Sequence, residues 1–76
     1  MTWQERILVD ETILRGTPVI KGTRVPVQVV VGGLAGGATI DEVCKSYVIE
    51  RDDVLAALAY AAETIAQEKV HAVPSR

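Results

Sequence analysis

The sequence predicts a mainly α fold, with short N-terminal β-strands forming a hairpin and then a three-helix helix-turn-helix unit of homeodomain-like type. Three observations carry this. The first 25 residues hold two short β-prone runs, "ILVD" and "PVI", separated by turn-forming residues. "TIDE", from Thr39 to Glu42, is a helix-start signal. From Glu50 onward apolar residues recur at helical spacing. The boundaries are 1–25 for a β arm, 26–70 for the helical unit and 71–76 for a tail, in one domain overall.

Ile7 to Asp10 and Pro18 to Ile20 read as strands. Lys21-Gly22 reads as a tight turn in which Gly22 takes a positive φ. Arg24 and Val25 stay extended, because a residue before proline avoids the helical region. Pro26 suits the first position of a helix, where the missing N–H has no partner to lose. The next stretch, "VQVVVGGLAGG", is mixed. β-branched valines favour strands, and each glycine inside a helix costs about 1 kcal/mol. Val27, Val30, Val31 and Leu34 nevertheless recur at helical spacing, so a helix is predicted over 26–35, ended by Gly36-Gly37.

Thr39 caps the second helix, with Glu42 reaching back to complete a capping box. Ile40, Val43, Cys44 and Tyr47 give this helix an apolar side, and Val48-Ile49 is a brief connection. The last helix is predicted from Glu50 to about Lys69, with Val54, Leu58, Ala61, Ala62 and Ile65 as its apolar face. Asp52 and Asp53 at its start and Lys69 at its end suit the helix dipole. Three helices, the last two joined by a tight turn, give the helix-turn-helix expectation.

A chain of 76 residues buries only roughly 60% of its unfolded surface, yet this one is 49% hydrophobic. Some apolar surface is therefore expected to lie against another chain, and a homodimer is the first expectation. The net charge of −2 argues against a polybasic nucleic-acid binder in bulk. Acids dominate from Asp41 to Glu68, where Asp41, Glu42, Glu50, Asp52, Asp53, Glu63 and Glu68 face only Lys45 and Arg51. Arg6, Arg15, Lys21 and Arg24 lie in the N-terminal half, against Glu5, Asp10 and Glu11. The single cysteine, Cys44, allows no internal disulfide. No apolar run reaches the roughly 18–20 residues of a membrane span, and the N-terminus lacks the apolar core of a signal peptide. No membrane partner is expected, and the expected location is cytoplasmic.

The stretch "GTPVIKGT", Gly16 to Thr23, has the residue types of a phosphate loop, but its lysine and second glycine are exchanged. Pro18 removes one of the N–H groups such a loop needs, Val19 and Ile20 resist its backbone angles, and Pro26 starts the helix too late. "RGTPVIKGTRVPVQVV" followed by "GGATIDEVCKSYVIERDDVLAALAYA" instead resembles the small family known as domain of unknown function 433, over roughly residues 7–66. The segment Gly22-Thr23-Arg24-Val25-Pro26 is the most specific part of the likeness. Where that family usually carries a proline after the tyrosine matching Tyr47, and a Thr or Ser cap before the last helix, this chain has Val48 and Glu50. Gly32 and Gly33 are also unusual in its first helix.

The resemblance implies a protein like the antitoxins of VapB type. These are often encoded beside a PIN-like toxin, a metal-dependent ribonuclease, and carry a helix-turn-helix. "GTRVP" then reads as a corner: Gly22 turns the chain, Thr23 and Arg24 fix it by side-chain hydrogen bonds, and Pro26 starts the helix. Arg24 has two readings, a salt bridge to an acid of a later helix and a contact to a nucleic-acid phosphate.

Arg15, Lys21 and Arg24 are the candidate DNA-binding residues, because the last helix would meet phosphates with acids. Asp53, Ala56, Tyr60, Glu63 and Gln67 line up as the polar face of that helix. Tyr60, Glu63 and Gln67, with Lys69 and Arg76, are the candidate partner-binding residues, Tyr60 as an aromatic anchor. Lys69 or Arg76 would reach the carboxylates of a PIN-like site. The competing reading of Arg76 is a terminal residue without contacts. His71 and Cys44 stand alone, so no metal site or cofactor is expected. No catalytic constellation is visible, and Asp52 and Asp53 read as dipole partners rather than as an acid–base pair. The leading expectation is an antitoxin that neutralises a PIN-like ribonuclease and represses its own operon by binding operator DNA. The alternative is a stand-alone helix-turn-helix regulator. A small enzyme or nucleotide-binding protein ranks third.

Overall fold

A computed structural model describes residues 2–68. The expected roles of Lys69, His71, Arg76 and the 71–76 tail lie outside the described residues. Three helices follow a two-stranded antiparallel sheet, as the pattern predicts: β1 (Ile7–Leu8), β2 (Val19–Ile20), α1 (Val27–Ala35), α2 (Ile40–Tyr47) and α3 (Arg51–Gln67). Single 3-10 turns at Trp3–Glu5 and Leu14–Gly16 flank β1 and precede β2.

The strands pair Ile7 with Ile20 and Leu8 with Val19. The sheet places Ile7, Val19 and Ile20 in the interior, at 5%, 0% and 1% exposure. The corner after β2 folds as its residue types dictate. Gly22 sits at φ 82, where a Cβ would be strained. The Thr23 hydroxyl donates to the Ile20 carbonyl at 2.7 Å and accepts from the Val25 N–H at 2.9 Å. The Ile20 N–H donates to the Val25 carbonyl, and the Val27 N–H donates to the Pro18 carbonyl, each at 2.9 Å. Gly16 to Thr23 is thus a turn, a buried strand and a second turn, with no cradle of inward N–H groups.

Pro26 precedes the first turn of α1 rather than lying inside it. At the other end Gly37 adopts φ 104, the Gly37 N–H donates to the Leu34 carbonyl, and the Ala38 N–H donates to the Gly33 carbonyl. These two bonds form a Schellman closure, which overrides the strand preference of the valines. Gly33 faces α2 closely enough that an added Cβ would meet Val43 Cγ2 at 3.5 Å. The Thr39–Glu42 capping box is present in both directions, at 2.8 and 3.1 Å. α2 ends on Val48, a left-handed residue at φ 55 and ψ 52, and the Ile49 N–H donates to the Cys44 carbonyl.

The core joins Ile7 and Ile20 from the sheet, Val27 and Val30 from α1, Val43 from α2, Ile49 from the corner, and Val54, Ala56 and Ala57 from α3. The face of α3 differs from the sequence expectation. Ala56, assigned to the polar face, is wholly buried, whereas Leu58 and Ile65, assigned to the apolar face, are 36% and 64% exposed, and Ala62 is exposed. The reason is the size and partners of the side chains. Ala56 and Ala57 let α3 lie close to the body of the fold, while Asp53, Tyr60 and Glu63 all find partners in the N-terminal segment.

Candidate functional site

Trp3 and Arg6 hold α3 in this register. The Trp3 ring meets the Tyr60 ring edge-on, with centroids 4.9 Å apart and planes at 80°. Its indole N–H donates to Glu63 Oε2 at 2.8 Å. Arg6 lies at the start of α3, where Nη1 donates to Glu50 Oε1 at 3.1 Å and to Asp53 Oδ1 at 3.0 Å, and Nη2 lies 3.7 Å from Asp52 Oδ2. The Glu50 hydrogen bond, then that of Asp53, holds the guanidinium above its ordinary pKa. Asp52 and Asp53 are therefore partners of an arginine, and the cation that joins the later helix is Arg6 rather than Arg24.

With Tyr60 braced on one side, its other side opens onto a groove of about 410 Å³ between α1 and α3. Val27, Val31 and Gly32 of α1 form one wall and Tyr60, Ala61 and Ile65 of α3 the other, and Pro18 also lines the groove. From Ala62 to Glu68 every residue is exposed, so the end of α3 stands beside α1 without an inserted layer of side chains. Gly32 keeps the α1 wall low, since a Cβ built there would meet nothing within 4 Å. The lining residues with polar side chains are Thr17, Gln28, Thr64 and Tyr60, and the lining holds no carboxylate, amine or guanidinium side chain. Such a surface can take aliphatic or aromatic groups from another molecule and offers few polar contacts to orient them.

The remaining candidates are placed apart. Tyr60 joins the groove and the Trp3 contact, Glu63 is engaged by Trp3, and Gln67 is exposed beyond both. Lys21 and Arg24 are exposed around one turn, whereas Arg15 is exposed at the opposite end of β2 in a left-handed conformation (φ 57). Arg24 makes no ion pair among the described residues, which removes its salt-bridge reading. Thr23 alone supplies the side-chain bonds of the corner. Sequence reasoning did not find Trp3, Arg6 or Gly32. Their signals were faint: the chain's single tryptophan, a basic residue beside it, and a pair of glycines inside a predicted helix. A second hollow, of about 440 Å³, lies at the α2–α3 corner beside Cys44, Lys45, Val48, Ile49 and Glu50. Among the described residues no helix is long and apolar enough to cross a membrane.

Comparison with known proteins adds a family and a fold relative. The profile of the family described as "Protein of unknown function (DUF433)" matches residues 7–61. The X-ray crystal structure of Rv2018 from Mycobacterium tuberculosis is similar, with 35% sequence identity and a TM-score of 0.62. The match covers 68% of this chain and 24% of that one, so this chain corresponds to about a quarter of that protein's length. A search of curated proteins returns no match.

Proposed function

The chain belongs to the DUF433 family, and from that premise we propose that it is a non-enzymatic, antitoxin-like binding protein that holds a PIN-like ribonuclease through the α1–α3 groove. The observation that carries the reading is the groove itself, which is open, almost wholly apolar and walled by a braced tyrosine. Its lining lacks the paired acids, bases and nucleophiles that chemistry on a substrate requires. It suits two or three apolar side chains from a segment of another protein, with Tyr60 as the anchor. The link to a ribonuclease of PIN type rests on the family likeness of Gly22 to Pro26 and of the capped helix after Thr39. The reading puts the protein in the cytoplasm beside its partner.

DNA binding is a second role of the same protein, favoured by the exposure of Lys21 and Arg24 around one turn and by the absence of an ion pair on Arg24 among the described residues. In that role Arg15 would contact a separate phosphate, and helices α2 and α3 would form the helix-turn-helix.

The test is a filled groove. Gly32→Leu places a side chain in space that is empty, so the fold is expected to hold while inhibition of the cognate nuclease falls at least tenfold. Full inhibition by a folded Gly32→Leu protein would overturn the groove as the docking site. Operator affinity measured against salt tests the second role, since loss of each phosphate contact lowers the slope by about one unit.

A further inference from the structure

On the reading that the groove is a docking site, we infer that Trp3 is its positioning residue: Trp3 fixes the ring of Tyr60 and so couples the N-terminal segment to whatever fills the groove. Trp3 does not line the groove, whereas Tyr60 does. Any influence of Trp3 on the groove therefore passes through Tyr60. Trp3, Arg6 and Glu63 also lie outside residues 7–61, so the family match assigns them no role.

The path starts in the backbone. Trp3 opens the 3-10 turn Trp3–Glu5, which the Arg6 N–H closes by donating to the Trp3 carbonyl at 2.9 Å. β1 follows directly, with Ile7 in the core, so the turn has a fixed base. Tyr60 and Glu63 are three residues apart and share one side of α3. The indole reaches both. Its N–H donates to Glu63 Oε2 at 2.8 Å, which sets the orientation of the indole. The indole then meets the Tyr60 ring at 80°, with centroids 4.9 Å apart. Among the described residues the Tyr60 hydroxyl has no hydrogen-bond partner. Packing therefore sets the angle of the Tyr60 ring, and Trp3 is the aromatic part of that packing. Without the indole the Tyr60 side chain gains rotamer freedom, and an occupant of the groove must order it at an entropic cost. An edge-on aromatic pair shifts such an equilibrium by roughly two- to tenfold. The coupling is reciprocal, so an occupied groove holds the Trp3 contact closed.

A neutral aromatic dye, phenylnaphthylamine, tests this without the nuclease, because the lining has no charged side chain. Its emission rises in apolar surroundings. The whole chain should bind the dye, and Gly32→Leu should abolish the binding. Trp3→Leu keeps an apolar group against α3 but removes the ring and its N–H. It should raise the Kd for the dye about fivefold, with the circular dichroism spectrum unchanged. Trp3→Phe returns an aromatic ring and should bring the Kd back within about twofold of the parent. Arg6→Gln loosens the same segment away from the groove, and should lower stability without changing the Kd. In a Tyr60→Leu background, Trp3→Leu should have no further effect, since the residue it acts through is gone. In the parent chain, with no substitution, the indole N–H should exchange with solvent about fivefold more slowly when dye is bound. A folded Trp3→Leu protein with the parent's Kd would overturn the inference and leave the groove reading standing. So would a Trp3→Leu effect that persists in full in the Tyr60→Leu background, an equal effect of Arg6→Gln on the Kd, or an indole exchange rate indifferent to dye. Dye that does not bind, or that ignores Gly32→Leu, would overturn it as well. Nuclease inhibition by Gly32→Leu, measured separately, then decides whether the docking site falls with it.

Discussion

Arg6 and Asp53 are joined through a carboxylate that serves two partners at once. Asp53 Oδ1 accepts from Arg6 Nη1 at 3.0 Å, and Oδ2 accepts from the Glu50 backbone N–H at 2.9 Å. One oxygen ties the N-terminal segment to α3, while the other caps the start of the helix. Asp53→Ala is expected to destabilise the protein by about 1 kcal/mol through the cap alone. Arg6→Gln keeps the cap and should lower stability by a smaller amount. Urea unfolding monitored by Trp3 fluorescence measures both, and an Asp53→Ala protein as stable as the parent would sink this account.

Val48 is the least expected backbone in the fold. A β-branched residue occupies a left-handed helix end where glycine is preferred, and its side chain is 88% exposed. Nothing in the core depends on that side chain. Val48→Gly should therefore raise stability by roughly 1 kcal/mol, since it relieves the clash between Cβ and the carbonyl. Thermal unfolding would show a higher Tm. An unchanged or lower Tm would mean that the valine side chain is held by contacts the fold does not show.

The parts of the sequence with strong local grammar were legible. The Thr39–Glu42 capping box, the Gly22 turn and the glycine end of α1 are decided by a few adjacent atoms, and each formed where the residue types predicted. The register of α3 was not legible. Alanines at 56, 57, 59, 61 and 62 spread small apolar surface around the helix, so periodicity favoured the larger Leu58 and Ile65. The choice is made at a distance by Trp3 and Arg6, which satisfy Tyr60, Glu63 and Asp53 from nearly the whole chain away. The groove was hidden for the same reason, because Gly32 reads locally as a poor helix residue and only packing shows it as a missing wall.

Asp10 gives the fold an acid-sensitive loop. Its Oδ1 accepts from the Thr12 hydroxyl at 2.7 Å and from the Thr12 N–H at 2.8 Å, and these bonds, the hydroxyl first, hold its pKa below the ordinary aspartate value. A carboxyl depressed in the folded state contributes stability above its unfolded pKa and loses it as pH falls through the folded value. The loop from Asp10 to Gly16 should therefore stay intact at neutral pH and loosen only below the usual carboxylate range. Carboxyl NMR titration should place the Asp10 midpoint below that of a free aspartate. Thr12→Ala should move it back up. An ordinary midpoint in the parent protein would remove the loop from the acid response.

Gly32 and Gly22 make opposite predictions for the same substitution. Gly32 lies inside α1 with helical backbone, and a Cβ there meets nothing within 4 Å. Gly32→Ala should raise stability by about 0.5–1 kcal/mol, since alanine favours the helix and restricts the unfolded chain. Gly22 also has open space around it, but its φ of 82 is one that L side chains rarely adopt. Gly22→Ala should therefore lower stability by roughly 1 kcal/mol. The pair separates crowding from backbone strain, because neither position is crowded. Chemical unfolding of both variants decides it. If Gly32→Ala proved destabilising, the α1 wall of the groove would have to be closer to α3 than the open space at that glycine allows, and the room on which partner docking depends would be gone.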